Sequence, residues 1–114
     1  MSMNIKTWFA AAILAAGSLG VAIADDAAIK ISAKDFMFSP ATVTVKAGST
    51  VTWTNLDDEP HTVFSGEGLF RSSALDTKDS FSYTFSSPGE FTYFCTIHPI
   101  MVGKIVVKPA ASSS

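Results

Sequence analysis

The sequence predicts an all-β sandwich of seven to eight short strands, and three observations carry that expectation. Apolar and polar residues alternate in short runs over residues 29–108, the period of a half-buried strand. Turn-forming pairs separate the runs at close intervals, among them Ser39-Pro40, Ala47-Gly48 and Pro88-Gly89. Beyond the N-terminal two dozen residues, no stretch has the period of an amphipathic helix.

Residues 1–24 read as an export signal. A short segment with one lysine, Lys6, precedes an uncharged and mostly apolar run over 8–23. Ala22-Ile23-Ala24 then fits a cleavage site before Asp25. The run is shorter than the ~20 residues a spanning helix needs, and Gly17, Ser18 and Gly20 interrupt it. No membrane span is therefore expected once the signal is cleaved. Removing 24 of the 114 residues leaves 90, enough for one domain over 25–108 and a small polar tail over 109–114 expected to be disordered.

The strands follow in order. Ile29 and Ile31 alternate with Lys30 and Ser32, and Phe36 and Phe38 continue the pattern until Ser39-Pro40 marks an edge or a strand break. Thr42-Val43-Thr44-Val45-Lys46 is a β-branched run, and Ala47-Gly48-Ser49 turns it. Thr50-Val51-Thr52-Trp53-Thr54-Asn55 puts Val51 and Trp53 on one face. Residues 56–60 read as a loop, and His61-Thr62-Val63-Phe64 as the next extended piece. The polar stretch 65–79 has no regular pattern, with Leu69, Phe70 and Leu75 as its apolar anchors. Phe81, Tyr83 and Phe85 alternate with Ser82 and Thr84. Phe91, Tyr93 and Cys95 share a face, and a last strand beginning near Val102 carries Ile105 and Val107.

Charge and cysteine usage narrow the function. Without Lys6 the chain has seven Lys+Arg against ten Asp+Glu. That mild acidity offers no basic patch for nucleic acid. Asp57-Asp58-Glu59 is the one acidic cluster. It reads as a solvated turn, and its place directly before His61 also suits a docking feature for a basic partner. An exported domain of this size often uses disulfides, yet the chain has a single cysteine. A lone thiol in an oxidising compartment points at Cys95 as a buried or bound group.

Cys95-Thr96-Ile97-His98-Pro99-Ile100-Met101 places a thiolate, an imidazole and a thioether within seven residues. Soft sulfur donors with imidazole select copper, and Cys/His₂ with a weak axial Met is the blue-copper arrangement. The second imidazole must come from His61, the one other histidine. Strand parity turns Cys95 inward with Phe91 and Tyr93, into a low-dielectric place where a thiolate needs a positive partner. The candidate metal ligands are therefore His61, Cys95, His98 and Met101.

Those residues also carry a family resemblance. The C-x-x-H-x-x-M loop, Pro60-His61, Phe38-Ser39-Pro40, Val45-Lys46-Ala47-Gly48, Val51-Thr52-Trp53-Thr54-Asn55, Phe91-Thr92-Tyr93-Phe94-Cys95 and Gly103-Lys104-Ile105 resemble the cupredoxins. Within that family the loop is most similar to that of the amicyanins and is shorter than in plastocyanins or azurins. The resemblance implies a Greek-key sandwich, one type 1 copper held by His61, Cys95, His98 and Met101, and no enzymatic reaction. It implies a periplasmic, monomeric shuttle of single electrons between redox partner proteins, a donor and an acceptor such as a c-type cytochrome or a dehydrogenase or reductase. A copper carrier or storage protein on the same fold is the alternative. A Cys95–His98 hydrolase would leave His61 and Met101 without a role. Zinc disfavours a thioether, and the C-x-x-C-H of haem attachment is absent.

Two positions depart from the family pattern. Thr62 stands where many relatives have an Asn that braces the ligand loop, so either its hydroxyl or Asn55 takes that role. Ile97 stands where amicyanins have Pro, and so retains an N–H that can point at the Cys95 sulfur. His98 is expected at the surface among Pro60, Ile97, Pro99 and Ile100, as the electron port.

Overall fold

A computed structural model describes residues 29–110. The expected export signal over 1–24, and 111–114 of the expected tail, lie outside the described residues. Among the described residues no helix is long and apolar enough to cross a membrane. Among the described residues eight strands form two four-stranded sheets. They are β1 (Ile29–Lys34), β2 (Met37–Ser39), β3 (Thr42–Lys46), β4 (Ser49–Asn55), β5 (Phe64–Ser65), β6 (Ser80–Phe85), β7 (Gly89–Phe94) and β8 (Val102–Lys108). One sheet runs β2-β1-β4-β6 and the other β3-β8-β7-β5. β1 pairs with β4 in parallel, as β3 does with β8; the remaining pairs are antiparallel.

Alternation decides which side chains meet between the sheets. Ile31, Ala33, Phe38, Val51, Trp53 and Phe85 come inward from the first sheet; Val45, Tyr93, Ile105 and Val107 come from the second. Trp53 and Tyr93 meet edge to face across the core at 5.3 Å. On the outer face of the first sheet, hydroxyls pair across strands: Thr50 with Thr84, Thr52 with Ser82 and Thr54 with Ser80, at 2.7–2.8 Å. Gly103 in β8 is required by close approach, because a Cβ there would collide with the Tyr93 hydroxyl.

Three expectations need correction. Phe36 does not continue a strand with Phe38. It sits in the two-residue turn between β1 and β2 with positive φ and is 42% exposed, while Phe38 is buried. Leu69 does not anchor the irregular stretch, being 46% exposed. Phe70 takes that role, its ring 4.9 Å from Tyr83 and 5.4 Å from Phe85, and Leu75 is buried as expected. His61 does not open a strand. It makes a single-residue bridge with Leu75, and β5 begins three residues later. β2 lies at a sheet edge and ends before Pro40, as the proline requires.

The strand directions bring one end of the sandwich together. The C-terminal ends of β1, β4 and β7 and the start of β8 all lie there. The loops that leave those ends carry the site.

A buried His-Cys-His centre

Cys95 follows the last residue of β7 and is fully buried, on the same side as Tyr93. The chain then turns through 96–100 and re-enters β8. Met101 N–H donates to the His98 carbonyl at 2.9 Å, and Cys95 N–H donates to the Met101 carbonyl at 3.1 Å. Those two bonds close a seven-residue loop at its base. They bring His98 back over Cys95 and bury Met101, which is 1% exposed.

His61 arrives from the other sheet's loop. Its N–H donates to the Leu75 carbonyl at 3.1 Å, and Leu75 N–H returns a bond to the His61 carbonyl at 2.7 Å. Ser72 holds Val63 in the same way, through its N–H at 2.8 Å and its hydroxyl at 2.9 Å. The irregular stretch therefore works as a brace for the His61 segment. Asn55 supports it from beneath. Its amide donates to the Glu59 and Leu75 carbonyls at 2.8 Å, and its Oδ1 accepts from Asp57 N–H at 2.8 Å.

Three donor atoms converge as a result. His61, Cys95 and His98 each offer one within 4.8 Å of the others. Cys95 Sγ is 3.8 Å from His61 Nδ1 and 4.0 Å from His98 Nδ1. Donors bound to one ion at about 2.0 and 2.3 Å sit about 3.7 Å apart at a trigonal angle and about 3.5 Å at a tetrahedral one. The two sulfur–nitrogen spacings observed here are close to what one shared ion requires, and the donor set fits copper. Thiolate chemistry is favoured as well. Burial works to raise the Cys95 thiol, but donors aimed at the sulfur outweigh it and bring it to about 6. They are Thr62 N–H at 3.3 Å, His98 N–H at 3.4 Å and, more weakly, Ile97 N–H.

Asp57 was not legible as part of the site. The acidic cluster reads as a solvated turn, yet Asp57 is only 8% exposed. Its carboxylate accepts from Asp35 N–H at 2.7 Å and Phe36 N–H at 2.9 Å, and meets His61 Nε2 at 2.9 Å. Burial works to raise its carboxyl, but the Phe36 N–H, the His61 ring and the Asp35 N–H hold it below the usual range. With Nε2–H given to Asp57, the Nδ1 lone pair of His61 is left facing Cys95. The signal that could have found it is the spacing of Asp57 and His61, four residues apart in one loop. Asp58 and Glu59 do stay at the surface. Glu59 comes within 3.8 Å of His98 Nε2.

The question of Thr62 is also answered. Its Oγ1 accepts from Thr96 N–H at 2.7 Å and pairs with Thr96 Oγ1 at 2.8 Å. The hydroxyl thus ties the His61 segment to the ligand loop, while Asn55 braces His61 from the other side.

A sequence profile of the cupredoxin-like domain matches residues 5–107. Amicyanin-alpha of Methylorubrum extorquens is 39% identical over 110 residues, covering 91% of this chain and 92% of that protein. The chloroplastic plastocyanin of Tetradesmus obliquus is 36% identical over 123 residues, covering 94% of this chain and 85% of that one. Among solved structures, a Cu(I) form of an amicyanin variant matches with a TM-score of 0.67 at 32% identity, covering 71% of this chain and 82% of that one. A purple cupredoxin from Nitrosopumilus maritimus matches with a TM-score of 0.65 at 33% identity, covering 70% of this chain and 99% of that one. With its two-sheet β-sandwich and its buried His-Cys-His cluster, this chain belongs to the cupredoxin-like family.

Proposed function

We propose that this protein is a blue-copper electron carrier that holds one copper through His61, Cys95, His98 and Met101. The observation that carries the reading is the convergence of three donor atoms, two of them on fully buried residues, around the chain's one thiol. Copper bound there supplies a one-electron Cu(II)/Cu(I) couple and an intense thiolate absorption in the visible.

The residues of the chain do the rest. Asp57 fixes the tautomer and direction of His61. The Thr62 and His98 N–H groups withdraw charge from the Cys95 sulfur, which favours the reduced state. The interior keeps water from Cys95 and Met101, each 1% exposed or less. His98, a quarter of whose side chain is exposed, reaches the surface beside Ile97 and Ile100 and forms the port for the electron. Ile100 is 86% exposed, so a partner can dock there without rearrangement of the centre. Such encounters are small and transient, and the protein works as a monomer. Export to the periplasm follows from the reading of 1–24. No open position for a substrate is called for, so the chain is a carrier and not an enzyme. A copper carrier or storage protein would need donors that open readily, whereas His61 and Cys95 are sealed.

The test is the visible spectrum of the copper-loaded protein. An intense band that bleaches on reduction is expected, and Cys95→Ser should abolish it. A stoichiometric copper protein that stays colourless under oxidant would end the proposal.

A further inference from the structure

The turn between β1 and β2 holds a residue in a conformation its side chain disfavours. Asp35 and Phe36 both have positive φ, 54° and 60°. Two-residue hairpin turns of this kind are ordinarily filled by Asn-Gly or Asp-Gly, because a Cβ in the left-handed region crowds the next carbonyl. Phenylalanine is an expensive choice there, and with 42% of it exposed the core gains little from the ring. Strain of this kind persists where the surroundings enforce it.

Two observations identify what enforces it and what it serves. The Phe36 ring stands edge-on to His98 at 4.8 Å and 88°, and edge-on to His61 at 5.3 Å and 84°. Among the described residues no other Phe, Tyr or Trp ring is recorded against either histidine. The Asp57 carboxylate accepts both N–H groups of the turn and also takes His61 Nε2. A single side chain therefore fixes the strained backbone and one imidazole in a common frame.

We propose that Phe36 is a positioning residue of the metal centre. Asp57 holds the turn left-handed so that the Phe36 ring seats against both imidazoles, fixing their planes and closing that side of the site to water and small ligands. The role in copper retention rests on the function proposed above; the seating of the rings does not.

The experiment compares Phe36→Leu, Phe36→Gly and the neighbouring Met37→Ala in the full chain. In the metal-free protein, NMR should show the ring-proton shifts of His61 and His98 moving in both Phe36 variants and staying put in Met37→Ala. In the copper-loaded protein, Phe36→Gly should lose metal to a chelator about tenfold faster, the combined worth of two edge-to-face contacts. Its metal-free melting temperature should hold or rise, because glycine takes positive φ without steric cost. Unmoved histidine shifts overturn the proposal with or without metal. Faster copper loss matched by a lower metal-free melting temperature would also overturn it, reducing Phe36 to ordinary packing. Failure of the unsubstituted chain to bind copper would sink the functional reading, and the histidine shifts would still decide the seating of the ring.

Discussion

His61 is fully buried, bridged to Leu75 through its backbone and held at Nε2 by Asp57 at 2.9 Å. His98 sits on a short loop with a quarter of its side chain exposed, and the exposed Glu59 comes within 3.8 Å of its outer nitrogen. The His61 segment is part of the scaffold; hydrogen bonds from Asn55, Asp57, Ser72 and Leu75 fix it. The loop of residues 95–101 is fixed mainly at its base, by Cys95 N–H on the Met101 carbonyl and by Thr96 N–H on the Thr62 hydroxyl oxygen. The contrast separates two tasks. In the electron carrier proposed above, a ligand built into the sandwich would keep the site's geometry in both redox states, and a ligand at the surface would give the electron a way out.

Breaking the scaffold half should have the largest effect. Asp57→Ala strips a partner from two backbone N–H groups and a buried ring, and should destabilise the metal-free protein by about 3 kcal/mol in urea unfolding. A loss under about 1 kcal/mol would mean that His61 is no better held than His98. Thr62→Val cuts the tie between the halves while keeping shape. It should cost about 1–2 kcal/mol through the orphaned Thr96 N–H, and loosen the loop in amide exchange while leaving His61 protected. Equal loss of protection at both histidines would erase the distinction.

The loop half is tested by function. Ile100→Glu, at a position 86% exposed, should slow electron exchange with a partner about tenfold and leave the visible spectrum intact. Unchanged kinetics would move the port elsewhere. Ile97→Pro should have the smallest effect. Proline removes the Ile97 N–H, and voltammetry should show a lower reduction potential. The shift should be modest, because the bonds resolved to Cys95 Sγ come from Thr62 and His98. No change or a rise would show that the Ile97 N–H does not tune the sulfur.

Much of this was readable from residue order. The strand runs around Val51 and Trp53, Tyr93 and Ile105 announce themselves by alternation, and all four are buried. The soft donors announce themselves by chemistry. The errors fall where local pattern carries no information about partners. Phe36 alternates with Phe38 as a strand pair would, but a turn reverses the chain between Lys34 and Met37. Leu69 and Phe70 are equally apolar in a stretch with no period, and only the aromatic cluster selects the second. Asp57 looks solvated in sequence because its backbone partners, Asp35 and Phe36, lie 22 and 21 residues away.

Sequence alone determined the sheet-forming alternation, the identity of the four candidate donors and the copper chemistry they favour, because those depend on side-chain type and on a period of two. Folding decided which carboxylate holds which imidazole, which aromatic ring leans on the centre, and that one histidine is sealed while the other meets solvent. Those are contacts between segments distant along the chain, and they exist only once parallel pairing of β1 with β4 and of β3 with β8 has gathered the loops at one end.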